Sequence, residues 1–140
     1  MTRIEMQIIV AALLMLGIVG CNDNPVKPKQ DHNPVVLSVT VFPQVVKPSD
    51  SVIVICKAMD PDGDSLVYDW FAYGGARIKG AGAEEWMLYN MHENFHIFYA
   101  PDSAHVSAPL DTMAIHCDAR DGIGGSGNGP TVYFVVKKDP

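Results

Sequence analysis

The sequence predicts an all-β chain, an antiparallel β-sandwich of about seven strands, preceded by an export signal and an extended linker. Three observations carry this expectation. Short runs rich in Val, Ile, Thr and aromatic residues recur between turn signals, at the spacing of a two-sheet fold. Within the clearest runs, apolar side chains alternate faces with period two. No convincing amphipathic helix interrupts them beyond the linker. The 140 residues suit one domain.

The first segment, residues 1–20, reads as a signal peptide. Met1 to Gln7 is a short polar start in which Arg3 is offset by Glu5. Ile8 to Val19 is an apolar run of twelve residues, against the ~20 that a bilayer-spanning helix needs. Ile18-Val19-Gly20-Cys21 resembles the bacterial lipobox. The resemblance implies that the preceding peptide is removed and that Cys21 is acylated as the first mature residue. It also accounts for an odd cysteine count of three. Two or three acyl chains anchor stably, since each buried CH2 contributes ~0.8 kcal/mol and one chain alone is marginal. The expected address is the bacterial cell membrane or outer membrane, with the domain facing periplasm or exterior. Asn22 follows the cysteine. In lipoproteins that resemble enterobacterial ones an Asp there favours inner-membrane retention, so Asn22 leans toward the outer membrane.

Residues 21–34 hold Cys21 and a proline-rich tether. Pro25, Pro28 and Pro34 sit among polar groups, with Val26 the one aliphatic side chain. Such a segment cannot bury enough surface to fold. Prolines extend it, to about 40 Å at ~3.1 Å per residue.

Residues 35–138 are the expected folded domain. Val35–Phe42 reads as strand A, interrupted by Pro43. Ser51–Met59 is strand B, with Val52, Val54 and Cys56 on one face and Ile53, Ile55 and Lys57 on the other. An acidic turn, Asp60-Pro61-Asp62-Gly63-Asp64, leads to strand C, Leu66–Tyr73, where Leu66, Tyr68 and Trp70 share a face. Gly74-Gly75 turns the chain. Ala76–Lys79 and Glu84–Tyr89 are weaker strands around Gly80 and Gly82. Phe95–Tyr99 is strand E, stopped by Pro101. Thr112–Ala119 is strand F, with Met113, Ile115 and Cys117 on one face. Asp121–Pro130 is a glycine-rich turn before strand G, Thr131–Lys137.

The sequence Asp60-Pro61-Asp62-Gly63-Asp64-Ser65-Leu66-x-Tyr68-x-Trp70, then Gly74-Gly75, resembles bacterial PKD-like and cadherin-like immunoglobulin repeats. Phe98-Tyr99-Ala100-Pro101 and Asp121-Gly122-Ile123-Gly124-Gly125 look like the later pieces of that pattern. The resemblance covers roughly residues 34–137 and implies an immunoglobulin-like sandwich. It further implies a B–F disulfide between Cys56 and Cys117, packed on the strand C Trp70. Export makes such a bridge chemically reasonable. Closing that loop contributes ~4 kcal/mol in the chain-entropy model. Ile115 stands two before Cys117, where antibody-type domains carry the tyrosine-corner Tyr. Domains of this kind are usually binding, adhesion or spacing modules without catalysis. The expected partner is a protein or glycan at the envelope. A net charge of −6, with no basic cluster beyond Lys137-Lys138, argues against nucleic acid.

Two sets of residues invite chemistry. His92-Glu93-Asn94-Phe95-His96 matches H-E-x-x-H, in which two His on one helical face bind zinc and the Glu activates water. It is the basis of the alternative function, a small zinc-dependent hydrolase using His92, Glu93 and His96. The following Phe95–Tyr99 run favours a strand, where positions four apart lie ~13 Å from each other. No Glu follows Glu93 to serve as third ligand. The second set is acidic. Asp60, Asp62, Asp64 and Asp121, with Asp118 nearby, fall in the BC and FG turns. Those turns share one pole of a sandwich with the start of strand A, so Asp31 and Asn33 of the tether are within reach. Calcium takes six to eight oxygens, often carboxylates, so this pole is a candidate calcium site. It is not an EF-hand, because Gly63 falls at loop position four and Phe71 at position twelve. Turn chemistry alone asks for the same residues and is the simpler reading of the sequence: Asp caps, Pro fixes φ and Gly takes φ > 0. Trp86, Tyr89 and Met91 are a third, weaker group, a binding patch or an irregular edge of the core. His105 marks a loop, Pro101–Pro109, at the pole away from the tether.

Overall fold

The computed structural model describes residues 30–81, 86–107 and 109–139. The expected signal peptide, the lipidation residue Cys21 and most of the tether lie outside the described residues. Apart from Gln30, the described residues belong to one compact unit, Asp31–Pro140.

Ten strands form among them, and no helix. They are β1 (Val35–Phe42), β2 (Val45–Val46), β3 (Ser51–Met59), β4 (Val67–Tyr73), β5 (Arg77–Ile78), β6 (Met87–Met91), β7 (Phe95–Tyr99), β8 (Leu110–Arg120), β9 (Ser126–Asn128) and β10 (Val132–Lys137). One sheet has the order β1-β3-β7-β5, the other β2-β10-β8-β4-β6, with β9 alongside β8. This is the strand arrangement of an immunoglobulin-like sandwich, as the sequence predicts. β1, β3 and β7 match strands A, B and E to the residue.

The differences are short ladders. Pro43 does interrupt strand A, but the interruption is a change of sheet. After a cis Phe42–Pro43 bond the chain re-enters as β2, parallel to β10. The two weak central strands go to opposite sheets, β5 onto β7 and β6 onto β4. The glycine-rich turn contains β9, paired with the end of β8.

Period-two alternation builds the core. β3 turns Val52, Val54 and Cys56 inward, fully buried, and leaves Ile53 and Ile55 exposed. β4 contributes Tyr68, Trp70 and Ala72, and β8 contributes Met113, Ile115, Cys117 and Ala119. Phe98 of β7 and Phe134 and Val136 of β10 complete the filling. Trp70 is the largest fully buried side chain. Its ring meets Phe98 edge-on at 5.9 Å and lies 6.4 Å from Tyr68. Its register partner on β8 is Cys117. Its Nε1 has no hydrogen-bond partner, so the residue acts through size and shape.

Strand directions define two poles. Ser51 pairs with Tyr99 at one end of β3, and Met59 pairs with Val35 at the other. Val67 lies opposite Arg120. The β3–β4 turn, the β8–β9 turn and the entry to β1 therefore meet at one pole. The β7–β8 loop with His105 lies at the far pole, as expected from the sequence.

Replacing Trp70 with Ala should lower the unfolding free energy by about 3–5 kcal/mol through the cavity it leaves. Trp70→Phe should cost about 2 kcal/mol or less, because no indole hydrogen bond is lost. Urea denaturation followed by circular dichroism measures both. Equal losses for the two variants would contradict the packing role.

Candidate functional site

The acidic pole is assembled from three segments. The first is the β3–β4 turn. Asp60 Oδ1 accepts the backbone N–H groups of Asp62 at 2.7 Å and Asp64 at 3.2 Å. The Asp60 carbonyl accepts from Gly63 at 3.2 Å. Gly63 has φ 80°, and a Cβ there would touch nothing, so backbone conformation alone calls for glycine. These are the bonds of an Asx turn. They use one carboxylate oxygen of Asp60. The other, Oδ2, is sealed from solvent without a partner.

The second segment is the turn after β8. Asp121 Oδ1 accepts three backbone N–H groups, from Ile123 at 2.8 Å, Gly124 at 3.1 Å and Gly125 at 2.9 Å. Asp121 is only 7% exposed, and its Oδ2 also lacks a partner. A Cβ on Gly125 would collide with that oxygen and press on Pro34 Cδ. A Cβ on Gly127 would strike the Pro34 carbonyl. The glycines therefore let this turn close tightly on the residue where the tether becomes β1.

The tether itself is the third segment. The His32 N–H donates to Asp62 Oδ2 at 2.7 Å, and His32 Nδ1 lies 3.0 Å from the same oxygen. Asp31 joins Asp62 and Asp64, with one carboxylate oxygen from each within 4.8 Å of the others. This is the one such group of three metal-ligating side chains among the described residues. Desolvation and then the charges of Asp121, Asp62, Asp64 and Asp60 hold the Asp31 carboxyl above the usual carboxylate range. Chemically, the pole offers hard oxygen donors and no nucleophile or general base set against one.

The other sequence candidates lie elsewhere. Asp118 is turned away from the pole and faces His116, with Nε2 2.8 Å from Oδ1. Its position on β8 places it one residue out of phase with the inward Cys117. Cys56 and Cys117 are both fully buried and lie near each other, but the expected disulfide between them is not formed in the structure. Their contact and burial push the Cys117 thiol up, while the same contact pulls the Cys56 thiol down.

The H-E-x-x-H segment is a bend followed by β7, not a helix. His96 points inward at the rim of the core. Its ring lies 6.4 Å from Trp70, and its Nε2 is 2.6 Å from the Lys79 carbonyl. His92 and Glu93 are exposed. The helical face that the zinc reading needs is therefore not formed. Trp86 and Tyr89 are about half exposed, at 47% and 48%. Tyr89 meets Phe71 edge-on at 5.6 Å. Met91 packs against the core, so these three do not form a single exposed patch. His105 is held by Asp102, which caps the loop by accepting the N–H groups of Ala104 and His105.

One buried polar cluster was not legible in the sequence. Asp69, 6% exposed, is spanned by Arg120, whose Nε lies 2.7 Å from Oδ2 and whose Nη2 donates to Oδ1 at 2.9 Å. Asn90 N–H donates to the same Oδ1 at 2.9 Å. The cluster ties β4, β6 and β8 together on the outer side of their sheet. Only the β4–β8 register, which sequence does not print, brings Asp69 and Arg120 together.

No family model matches the chain, and no curated protein does. Among solved structures, it is similar to the PKD domain of an M14-like peptidase from a Thermoplasmatales archaeon, at TM-score 0.45 and 15% identity, covering 79% of this chain and 100% of that one. It is similar to a nucleoside hydrolase-related hypothetical protein from Saccharophagus degradans associated with carbohydrate metabolism, at TM-score 0.45 and 16% identity. Here it covers 78% of this chain but 26% of the other. It is also similar to AggA, the major subunit of aggregative adherence fimbriae type I from Escherichia coli, at TM-score 0.44 and 14% identity, covering 79% and 98%. The likeness concerns chain path and nothing finer.

Replacing both His92 and Glu93 with Ala should change the unfolding free energy by no more than about 0.5 kcal/mol, as for exposed side chains without partners. The protein as purified should carry no stoichiometric zinc by elemental analysis. One zinc per chain, lost in the double variant, would reinstate the metal reading of that segment.

Proposed function

We propose that this chain is an exported envelope lipoprotein whose immunoglobulin-like domain works without catalysis, in binding, adhesion or structural spacing. The observation that most favours this reading is the way the fold uses its polar groups. The H-E-x-x-H segment is spread over a bend and a strand, and the dense polar pole lies where the tether enters β1. That pole has the chemistry of a joint rather than of a reaction centre.

In this reading, residues 1–20 direct export, Cys21 carries the lipid, and residues 22–34 hold the domain off the membrane. The partner is a protein or glycan of the envelope. It docks at the pole away from the tether, where Arg77, Asp102 and His105 line a shallow depression with Gly75 and Pro101. Export also brings Cys56 and Cys117 into an oxidising compartment, where adjacent buried thiols close to a disulfide.

Two measurements test this. Cys21→Ser should abolish labelling by a palmitate analogue and move the protein from the membrane fraction to the soluble one. Retention at the membrane without label would overturn the lipid anchor. Protein isolated from the envelope should show no free thiol at Cys56 or Cys117 after denaturation. Reduction should lower its unfolding free energy by about 4 kcal/mol.

A further inference from the structure

The sheet β1-β3-β7-β5 turns an apolar face to solvent. In one row across it Phe42, Ile53 and Ile97 are register partners, and in the next Thr40, Ile55 and Phe95. Phe42 is 76% exposed, the most of any large apolar side chain among the described residues. Ile53, Ile55 and Phe95 are each close to half exposed. All of them point away from the core, so packing inside the domain does not account for their being apolar. Contiguous apolar groups on a surface mark a docking face. We propose that this face pairs with the same face of a second copy of the chain, about a two-fold axis running along β3.

Shape argues for a second copy. β3 lies between β1 and β7. On the β1 side Phe42 protrudes. On the β7 side a depression of about 370 Å³ is lined by Gly80, Met91, Phe95 and Ile97, among others. A half-turn about an axis along β3 lays β1 of each copy over β7 of the other and keeps the rows aligned. Phe42 of each copy then falls over Ile97 of the second and the depression beside it. Ile53 and Ile55 meet their own counterparts on the axis. A protrusion and a depression related in this way are what a self-complementary, isologous contact requires.

Charge argues the same way. The chain carries a net charge of −6, which opposes self-association over most of its surface. β1, β3 and β7 contain no Asp or Glu. The outer side of the other sheet carries Asp69, Asp118 and Arg120 instead. Lys57 follows Ile55 outward on β3, close to the axis, and Glu93 lies at the rim of the depression. The long stem of Lys57 lets each copy swing its ammonium aside toward a carboxylate of opposite sign. This is the face on which an acidic chain meets its own copy at least electrostatic cost.

Area sets the strength. Three strands at ~4.8 Å spacing and about 17 Å of strand length give a footprint of roughly 250 Å². A standard interface covers ~800 Å² per partner, so the pairing is reversible and concentration-dependent, not obligate. It leaves both poles of the sandwich open, and it does not depend on the lipid anchor.

Sedimentation of the full-length chain in density-matched detergent tests this. Standard-size interfaces weaken to ~1 μM at their poorest, so a monomer–dimer equilibrium is expected in this smaller one between about 10 μM and 1 mM. Phe42→Asp should weaken dimerisation at least about tenfold, with the melting temperature unchanged because the side chain is exposed. Tyr133→Asp, which removes an exposed ring from the opposite sheet, should leave dimerisation as it was. Ile53→Cys, oxidised in whole cells, should give one cross-linked product of twice the chain's mass, and Tyr133→Cys none. A monomer throughout the range, dimerisation indifferent to Phe42→Asp, equal weakening by Tyr133→Asp, or an Ile53→Cys product that is absent or of another mass would each overturn the proposal.

Discussion

Everything in this molecule depends on burying the inward faces of β3, β4 and β8 around Trp70. A domain this small has few large side chains to bury, and Trp70, Phe98 and Phe134 account for the largest of them. Alternation is what delivers them, because a strand slipped by one residue would present its polar set to the core. β3 shows how strict this is. Val52, Val54 and Cys56 are fully buried, while their neighbours Ile53 and Ile55 face out despite being equally apolar. Periodicity, not hydrophobicity alone, decides which side is the core.

The same packing explains the two polar structures that flank it. Once β4 and β8 are paired through Trp70 and Cys117, Asp69 and Arg120 fall within reach on the other side of the sheet. Arg120 donates to Asp69, which raises the Arg120 guanidinium pKa further above its ordinary value, so Arg120 stays charged at any physiological pH. At the end of the sandwich, the β3–β4 and β8–β9 turns are brought side by side by the strands that carry them. Each satisfies its own backbone with one aspartate oxygen, Asp60 in the first and Asp121 in the second. The pole is acidic because two turns with the same chemistry end at the same place.

How much of this was legible beforehand follows from range. β1, β3 and β7 could be read to the residue because β-branched alternation is local. The burial of Cys56, Trp70 and Cys117 followed from the same pattern. β2 and β9 could not be read, since ladders of two and three residues are created by neighbours rather than by propensity. The acidic residues were visible, and so was the pole they share. Their roles were not. Turn chemistry accounts for one oxygen of Asp121, and only the closure of Gly125 and Gly127 on Pro34 shows that the other is buried. Asp118 looked equivalent to Asp121 in sequence, yet one step of phase on β8 gives it to His116 instead.

The glycine-rich turn after β8 therefore has a different meaning from the one its composition suggests. A run of glycines reads as slack, chosen for flexibility. In the structure Gly125 and Gly127 are required by contact: any side chain there would displace Asp121 or the backbone of Pro34. Pro34 in turn is the last tether residue before β1, and His32 is already bonded to the β3–β4 turn. The tether thus does not simply stop where the sandwich starts. It is seated between two turns, where desolvation and then the charges of Asp121, Asp62, Asp64 and Asp60 raise the Asp31 carboxyl above its ordinary value.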